Sequence, residues 1–190
     1  VGNRMRGERL RSLAGEAADR AALVLLLLSP SLPMLFMGQE FGATSPFLFF
    51  VDHGEEELLD ATREGRAREF AAFAAQGIPP DPGAPETCAR TRLEWPDLSR
   101  NADYLLAARL LRWRASYDCF RPAPDGSGPV VRHAAGDRSV VIAHYAGRSD
   151  QAVILCNLSG ESEAIDMPEL LERFAVNLDG ARTLLATTDD

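Results

Sequence analysis

The chain has 190 residues, of which 46% are hydrophobic and 25% charged. This is the composition of a globular protein with one sizeable core or two small ones. A formal net charge of −8 argues against nucleic acid as a partner, because an acidic surface repels phosphate backbones. The one strongly apolar run, 21–28, has eight residues, whereas a membrane span needs roughly 20. We therefore expect neither a nucleic-acid nor a membrane partner.

The cysteines Cys88, Cys119 and Cys156 are too few and too widely spaced to indicate a disulfide framework or a zinc site. His133 and His144 have no cysteines or clustered acids near them in sequence. The first residues, Val-Gly-Asn-Arg, do not have the pattern of a signal peptide. We interpret the thiols as free, expect a cytoplasmic protein, and predict no metal and no cofactor.

A helix and a strand are predicted at the start of the chain. Residues 16–28 are rich in Ala and Leu and lack Gly and Pro, which predicts a helix that Ser29 and Pro30 end. Residues 32–37, Leu-Pro-Met-Leu-Phe-Met, predict a fully buried parallel strand. A helix, a short loop and a buried strand together are typical of an α/β domain.

Two further helices are predicted, over 55–75 and 102–116, with a Pro- and Gly-rich surface loop at 77–96 between them. In the last helix, the side chains of Arg109 to Arg114 are expected to form a solvated face that pairs with acids. From Pro122 onward the pattern changes to turn residues and short β-rich runs. Strands are predicted at the following positions: 130–131, 139–145, 152–157, 172–176 and 183–186. The chain stops directly after the last of these, so we expect an incomplete antiparallel sheet.

Several segments resemble a known family. Residues 2–10, with Gly-Asn-Arg followed by Gly-Glu-Arg-Leu, are similar to the segment after the Asn-His-Asp-Gln motif of malto-oligosyltrehalose trehalohydrolases. Residues 32–42 resemble the eighth barrel strand of the α-amylase clan, a motif that glycogen branching enzymes share. Residues 46–53 and 63–73 resemble the trehalohydrolase branch more narrowly, and 93–95, Leu-Glu-Trp, fits its Leu-Asp-Trp position with Glu in place of Asp.

The resemblance implies an α/β plus all-β fold. Residues 1–117 would be the last αβα segment of a (β/α)8 barrel, also called a TIM barrel. Residues 118–190 would be a small antiparallel, β-sandwich-like C-terminal domain that is truncated. The resemblance is close over 1–117, whereas the β-domain matches the clan only in its position in the chain and in its pattern of short strands and turns.

The family also implies a reaction. Its members are glycoside hydrolases that cut the α-1,4 bond next to the terminal trehalose of malto-oligosyltrehalose, in trehalose biosynthesis. The clan uses a retaining mechanism, with a nucleophile and an acid roughly 5 to 5.5 Å apart. On the family pattern both acids lie far upstream, and a third, the Asp of Asn-His-Asp-Gln, would fall two residues before Val1. We therefore predict no catalytic residue here, and expect the chain alone to be inactive and unstable because one barrel strand leaves apolar surface exposed.

Four candidate substrate-binding residues lie where the resemblance puts the carboxyl-terminal rim of the barrel. Asn3 and Arg4 carry the amide and guanidinium groups that suit sugar hydroxyls; the alternative is a loop that these polar side chains stabilise. Gln39 and Glu40 follow the predicted strand, and they either bind sugar or orient rim groups such as Arg4.

The loop at 46–53 supplies three more candidates. Phe47 is the aromatic residue favoured for contact with a glucose ring, although the phenylalanines of 41–50 could instead form core. Asp52 and His53 are retained because they match the family loop, but neighbours in a loop need not touch each other.

Two alternatives stay open. The chain could belong to a glycogen branching enzyme, or it could be a non-catalytic module that binds glucan or supports oligomers. The loop at 46–53 favours the trehalohydrolase. The expected partner is a malto-oligosaccharide substrate, and the sequence does not give an oligomeric state.

Overall fold

The computed structural model describes residues 4–122, 130–135, 140–158, 172 and 181–183. Over these ranges the helices are α1 (Leu10–Leu28), α2 (Glu56–Glu69), α3 (Pro85–Arg90) and α4 (Ala102–Ser116). The strands are β1 (Val130–Ala135), β2 (Val140–Ala146) and β3 (Gln151–Asn157). Short 3-10 helices lie at Gln39–Phe41, Ala71–Gln76 and Asp118–Phe120. No helix in these ranges is long and apolar enough to cross a membrane.

One apolar core joins the helices to the sheet. Leu27 of α1 and Leu110 of α4 have no exposed surface, and they belong to the same buried cluster as residues of β2 and β3. The other members of this cluster are Leu23, Val24, Leu28, Ala107, Cys119, Phe120, Ala143, Tyr145, Ile154 and Cys156. Because burial stabilises by roughly 25 cal/mol per Å² of apolar surface, the helical part and the sheet stabilise each other.

The first helix begins earlier than predicted and contains a break. α1 starts at Leu10, but Gly15 has φ 87° and ψ 172°, which lie outside the helical range. The regular part after this break coincides with the predicted helix at 16–28. Its apolar residues Leu23 and Val24 face the core, and the chain turns away at Ser29, which has extended backbone angles.

A side chain from α4 caps the end of α1. The Arg114 guanidinium donates hydrogen bonds to the carbonyl oxygens of Leu27 (3.1 Å), Ser29 and Ser31 (2.6 Å). Arg114 is buried, and burial lowers the pKa of its guanidinium. The last carbonyls of a helix lack donors within the helix, so they attract this cation. The prediction of a solvated arginine face is therefore wrong for Arg114, although Arg109 is exposed.

The described strands form an antiparallel meander in the order β1-β2-β3. Val130 lies opposite Ala146, and Val140 lies opposite Asn157. Strands are confirmed at the three predicted places, 130–131, 139–145 and 152–157: β1 extends four residues further, β2 and β3 each differ by one residue at an end, and position 139 lies outside the described residues. Of the two further predicted strands, Glu172 is helical and Thr183 is not in a strand; their other residues lie outside the described part of the chain.

The strand predicted at 32–37 is wrong for the described chain. These residues have no regular secondary structure, and no described residue pairs with them in a sheet. Leu32 and Met34 are 86% and 85% exposed. A parallel strand requires neighbouring strands for its hydrogen bonds, and the described residues supply none here. The apolar run is present in the sequence, but it cannot form a strand without a neighbouring strand to accept and donate its hydrogen bonds.

The second predicted helix is shorter than 55–75. α2 ends at Glu69, Phe70 leaves the helical conformation, and the 3-10 helix Ala71–Gln76 follows. Arg66 in the last turn of α2 lies over the Phe49 ring (4.8 Å) and the Phe70 ring (4.6 Å). This cation–π stacking attaches α2 to the preceding loop. The predicted surface loop at 77–96 contains the short helix α3.

Two carboxylates join the end of the helical part to the turn between β2 and β3. Asp150 accepts hydrogen bonds from the amides of Asp118 (3.0 Å) and Cys119 (2.8 Å). Asp118 in turn accepts from the amides of Arg148 (2.8 Å) and Ser149 (3.2 Å). A hydrogen bond between the Asp118 and Asp150 carboxyl groups is the main cause that lowers the pKa of Asp118 to about 2, and the amides of Arg148 and Ser149 lower it further.

The three cysteines are free thiols, as predicted. Cys119 and Cys156 are buried, while Cys88 on α3 is half-buried. Burial raises the pKa of both core thiols, so they stay protonated at neutral pH.

We expect Arg114→Ala to lower the free energy of unfolding by about 2 to 3 kcal/mol, because it leaves carbonyl oxygens at the end of α1 without a donor. Chemical denaturation of the chain measures the loss. Arg112→Ala on the same helix is the control, since Arg112 is exposed, and its effect should stay within about 0.5 kcal/mol. Equal effects of the two substitutions would contradict the capping role.

The junction at Asp118 should give a stability that depends on pH. Its pKa is about 2 in the folded chain and about 3.9 when unfolded. The stabilisation is therefore complete above about pH 4 and is lost as the pH falls through about 2. In thermal melts from pH 6 to pH 2, Asp118→Asn should flatten this part of the dependence, whereas the exposed Glu64→Gln should not. Parallel curves for Asp118→Asn and the unmodified chain would refute this prediction.

Candidate functional site

The segment before α1 packs directly on the loop that carries Phe47. The Phe47 amide donates a hydrogen bond to the carbonyl oxygen of Gly7 (2.8 Å). Gly7 has φ +60°, and a Cβ at this position would lie 2.1 Å from the Phe47 carbonyl oxygen. Only glycine permits both this backbone conformation and this approach. The contact brings the chain around Arg4 next to the aromatic loop.

Phe36, Phe47 and Phe50 form a small aromatic cluster with Phe47 at its centre. The Phe47 ring lies edge-on to Phe36 at 4.9 Å between centroids, and it lies 6.3 Å from Phe50. Such edge-to-face pairs add about 0.5–1.5 kcal/mol to the apolar contact. Phe47 is half-buried and Phe50 is exposed, so the cluster presents aromatic surface to solvent. By contrast, Phe41 is buried in contact with Trp95.

The 3-10 helix Gln39–Phe41 is held between two glycines, Gly38 (φ +83°) and Gly42 (φ +67°). A Cβ at Gly42 would lie 2.4 Å from a carboxylate oxygen of Asp103, so this position also requires glycine. The Asn101 amide nitrogen donates to the Phe41 carbonyl (3.2 Å) while its oxygen caps the first turn of α4. The turn is therefore fixed to the start of α4.

The two polar residues of this turn point to different surroundings. The Gln39 side-chain oxygen accepts a hydrogen bond from the Phe36 amide (3.1 Å), so it holds the loop together. Glu40 lines an open depression of about 490 Å³. The other residues around this depression are apolar or aromatic: Leu35, Phe36, Met37, Tyr104, Ala107, Ala108 and Leu111.

An ion-pair network lies behind the turn. Arg11 pairs with Asp103 (2.9 Å) and Glu16 (2.7 Å), and Arg20 pairs with the same two acids (2.6 Å each). Burial raises the pKa of Asp19 at the edge of this network, and attraction to Arg11 opposes the rise. Because each of these acids has an arginine partner, the network serves to position α1 against α4 and offers no free carboxylate pair.

The remaining predicted site residues are not brought together. Arg4 is exposed and lies 3.4 Å from Glu8, whereas Asn3 lies outside the described residues. Asp52 is exposed and His53 half-buried, and neither makes a hydrogen bond or ion pair with another described residue. Within the described ranges, no three His, Cys, Asp or Glu side chains form a possible metal site.

Arg9 also helps to shape this region, although the sequence does not indicate its role. Its guanidinium donates to the carbonyl oxygens of Ser45 (2.6 Å) and Met37 (3.0 Å), and it lies over the Phe36 ring at 5.6 Å. Arg9 is 6% exposed. The only signal in the sequence is its place in the Gly-Glu-Arg-Leu motif, which does not reveal its acceptors.

We expect Gly7→Ala to lower the free energy of unfolding by at least about 2 kcal/mol, because it adds both strain at positive φ and a backbone clash. Gly65→Ala is the matched control. Gly65 lies inside α2, where a Cβ meets nothing within 4 Å, so this change should stabilise by about 0.5–1 kcal/mol. Denaturant titrations of both variants measure the difference, and a neutral Gly7→Ala would show that the close contact is not maintained.

Comparison with known proteins gives consistent relatives, although no family model matches the chain. The chain is 43% identical to the malto-oligosyltrehalose trehalohydrolase of Brevibacterium helvolum over 196 residues, covering 100% of the chain and 30% of that enzyme. It is 38% identical to the protein of the same name from Mycobacterium tuberculosis, covering 87% of the chain and 28% of the relative. For the protein of that name from Arthrobacter ramosus the identity is 46%, covering 53% and 18%.

A solved structure shows the same relationship. The chain is 35% identical to a protein from Salmonella typhimurium that is described as a candidate alpha amylase, with a TM-score of 0.72 over 88% of the chain and 29% of that protein. The chain thus spans less than a third of the length of each of these relatives. On sequence and fold together, it belongs to the malto-oligosyltrehalose trehalohydrolase family of α-amylase-type glycoside hydrolases.

Proposed function

We propose that the chain is the C-terminal part of a glycoside hydrolase that cleaves the α-1,4 bond next to the terminal trehalose of malto-oligosyltrehalose and releases trehalose. The observation that carries this proposal is the 43% identity to the Brevibacterium helvolum trehalohydrolase over the full chain. In this proposal, residues 1–117 complete a (β/α)8 barrel and residues 118–190 form its β-domain. The exposed apolar side chains of Leu32, Met34 and Met37 support this division, since neighbouring barrel strands would cover them.

The rim that this chain would contribute suits a neutral oligosaccharide. Arg4 and Asp52 are exposed polar groups that can hydrogen-bond to sugar hydroxyls, and Asn3 and His53 are further candidates. Phe47 offers a half-buried ring for the apolar face of a glucose unit. Gln39 has its side-chain oxygen engaged with the Phe36 amide, which favours a supporting role over sugar binding. Glu40, at the edge of the depression, keeps the role of a binding residue.

The partners of several described carboxylates argue against a retaining glycosidase site among them. Such a site needs a nucleophile and an acid facing one sugar across roughly 5 to 5.5 Å. Asp103, the most buried acid of the region, is bound by Arg11 and Arg20. Asp118 and Asp150 lie close together, but both accept backbone hydrogen bonds. We therefore propose that the chain binds and supports while catalytic acids come from elsewhere in the full-length enzyme.

A product assay tests the proposed function. The full-length protein, given malto-oligosyltrehalose, should release free trehalose, and the 190-residue chain should release none because, in this proposal, the catalytic acids lie elsewhere in the protein. Formation of α-1,6 branches from a linear glucan would instead identify a branching enzyme. Trehalose release by the 190-residue chain would overturn the assignment of catalysis to other parts of the protein.

A substitution tests the proposed rim. In the full-length enzyme, Phe47→Ala should lower kcat/KM for malto-oligosyltrehalose about 2- to 10-fold, the rate equivalent of one aromatic contact. Phe73→Ala is the control, because Phe73 is 51% exposed and contacts Phe70 rather than the cluster of Phe36, Phe47 and Phe50. The thermal midpoint of each variant is measured alongside. A Phe47 variant with unchanged kcat/KM would remove this ring from the substrate site.

A further inference from the structure

Arg9 spans the loop that carries the turn Gln39–Phe41. Its Nε donates to the Ser45 carbonyl (2.6 Å) and its Nη1 to the Met37 carbonyl (3.0 Å). These two acceptors lie on either side of the turn, so one planar guanidinium fixes the distance between the two ends of the loop. A guanidinium suits this role because its donors have a rigid, forked geometry.

The surroundings of Arg9 differ from those of the nearby Arg11. Arg11 pairs with carboxylates, whereas the two hydrogen bonds of Arg9 go to backbone carbonyls. The Arg9 side chain is buried, and its Nη2 has no hydrogen-bond partner. A buried cation costs free energy, and burial is the main cause that lowers the pKa of Arg9, opposed by attraction to Glu40 and Asp19. A cation retained at this cost indicates a specific geometric role.

The loop that Arg9 closes is connected to the aromatic cluster. The guanidinium lies over the Phe36 ring, and Phe36 contacts the Phe47 ring at 4.9 Å. The Ala43 amide closes the loop from inside by donating to the Gly38 carbonyl (2.8 Å). Gly38 itself lies against the guanidinium, since a Cβ there would be 3.5 Å from Arg9 Nη2. Movement of Arg9 would therefore displace both the turn and the ring.

We propose that Arg9 is a positioning residue that sets the shape of the loop between Met37 and Ser45 and, through Phe36, the orientation of the Phe47 ring toward a glucan substrate. Arg9 does not touch the substrate in this proposal. The step from loop shape to glucan binding rests on the proposed function, whereas the step from Arg9 to loop shape does not.

Amide hydrogen exchange in the full-length protein tests the loop. Arg9→Lys keeps the charge but offers a single donor group that cannot reach both carbonyls, and Arg9→Ala removes both bonds. Exchange of the Ala43 and Phe47 amides should accelerate about tenfold or more in both variants, while the Leu105 amide in α4 keeps its rate. The exposed Arg100→Ala is the control and should change neither group. Unchanged loop amides, or equal acceleration of all three amides, would overturn the positioning role.

Steady-state kinetics of the full-length enzyme test the consequence for the substrate. Arg9→Lys should raise KM for malto-oligosyltrehalose at least about threefold with a smaller change in kcat, because the rim binds the sugar without taking part in bond cleavage. A faster loop with an unchanged KM would overturn the link between loop shape and glucan binding. If the unmodified full-length enzyme released no trehalose, the proposed function would fail, and the exchange result would still decide whether Arg9 fixes the loop.

Discussion

The contact between α1 and α4 is the interaction on which the other parts of this structure depend. Leu27 and Leu110 are completely buried where the two helices meet, and the sheet packs on the same cluster. Polar contacts secure both ends of α4. Near its end Arg114 caps α1, and at its start Asn101 holds the turn that carries Gln39 and Glu40. The candidate site therefore takes its position from the helix pair.

What the sequence predicts well is what local physics decides. The helix at 102–116 is confirmed at both ends, because Asn101 caps its start and the helical periodicity is carried by neighbours along the chain. The strand pattern at 130–157 is likewise recognisable from turn residues and alternation. In both cases the residues that determine the element are close to one another in sequence.

What the sequence fails to predict depends on distant partners. The run at 32–37 has the composition of a buried strand, but strand formation needs a second strand, which the described chain does not offer. From the sequence, Arg114 resembles a surface residue, because the α1 carbonyls that it binds are more than 80 positions away. Arg9 and Gly7 also depend on distant partners: Arg9 donates to the Ser45 carbonyl, and Gly7 lies against the Phe47 backbone. Of the candidate site, the sequence indicates the aromatic loop, but the arrangement that orients it could not be predicted.

The family assignment and the acid-base chemistry of the region fit together. An α-amylase-type site needs carboxylates free to act on the substrate, yet Glu16 and Asp103, in the network behind the turn, are bound by arginines. The pair between Arg11 and Asp103 is partly shielded from water, where removing one partner is costly. These two acids thus contribute to architecture, in line with the supporting role proposed for the chain.

The burial of two thiols has a practical consequence. Cys119 lies on the 3-10 helix Asp118–Phe120 and Cys156 on β3, so one thiol lies in the helical part of the shared core and the other in the sheet. Only a thiolate reacts rapidly with an alkylating reagent, and burial keeps both groups protonated and out of contact with solvent. The half-buried Cys88 on α3 provides an internal reference for reagent access. The rate at which the two core cysteines become alkylated, relative to Cys88, therefore reports how often the core opens, and no engineered cysteine is needed.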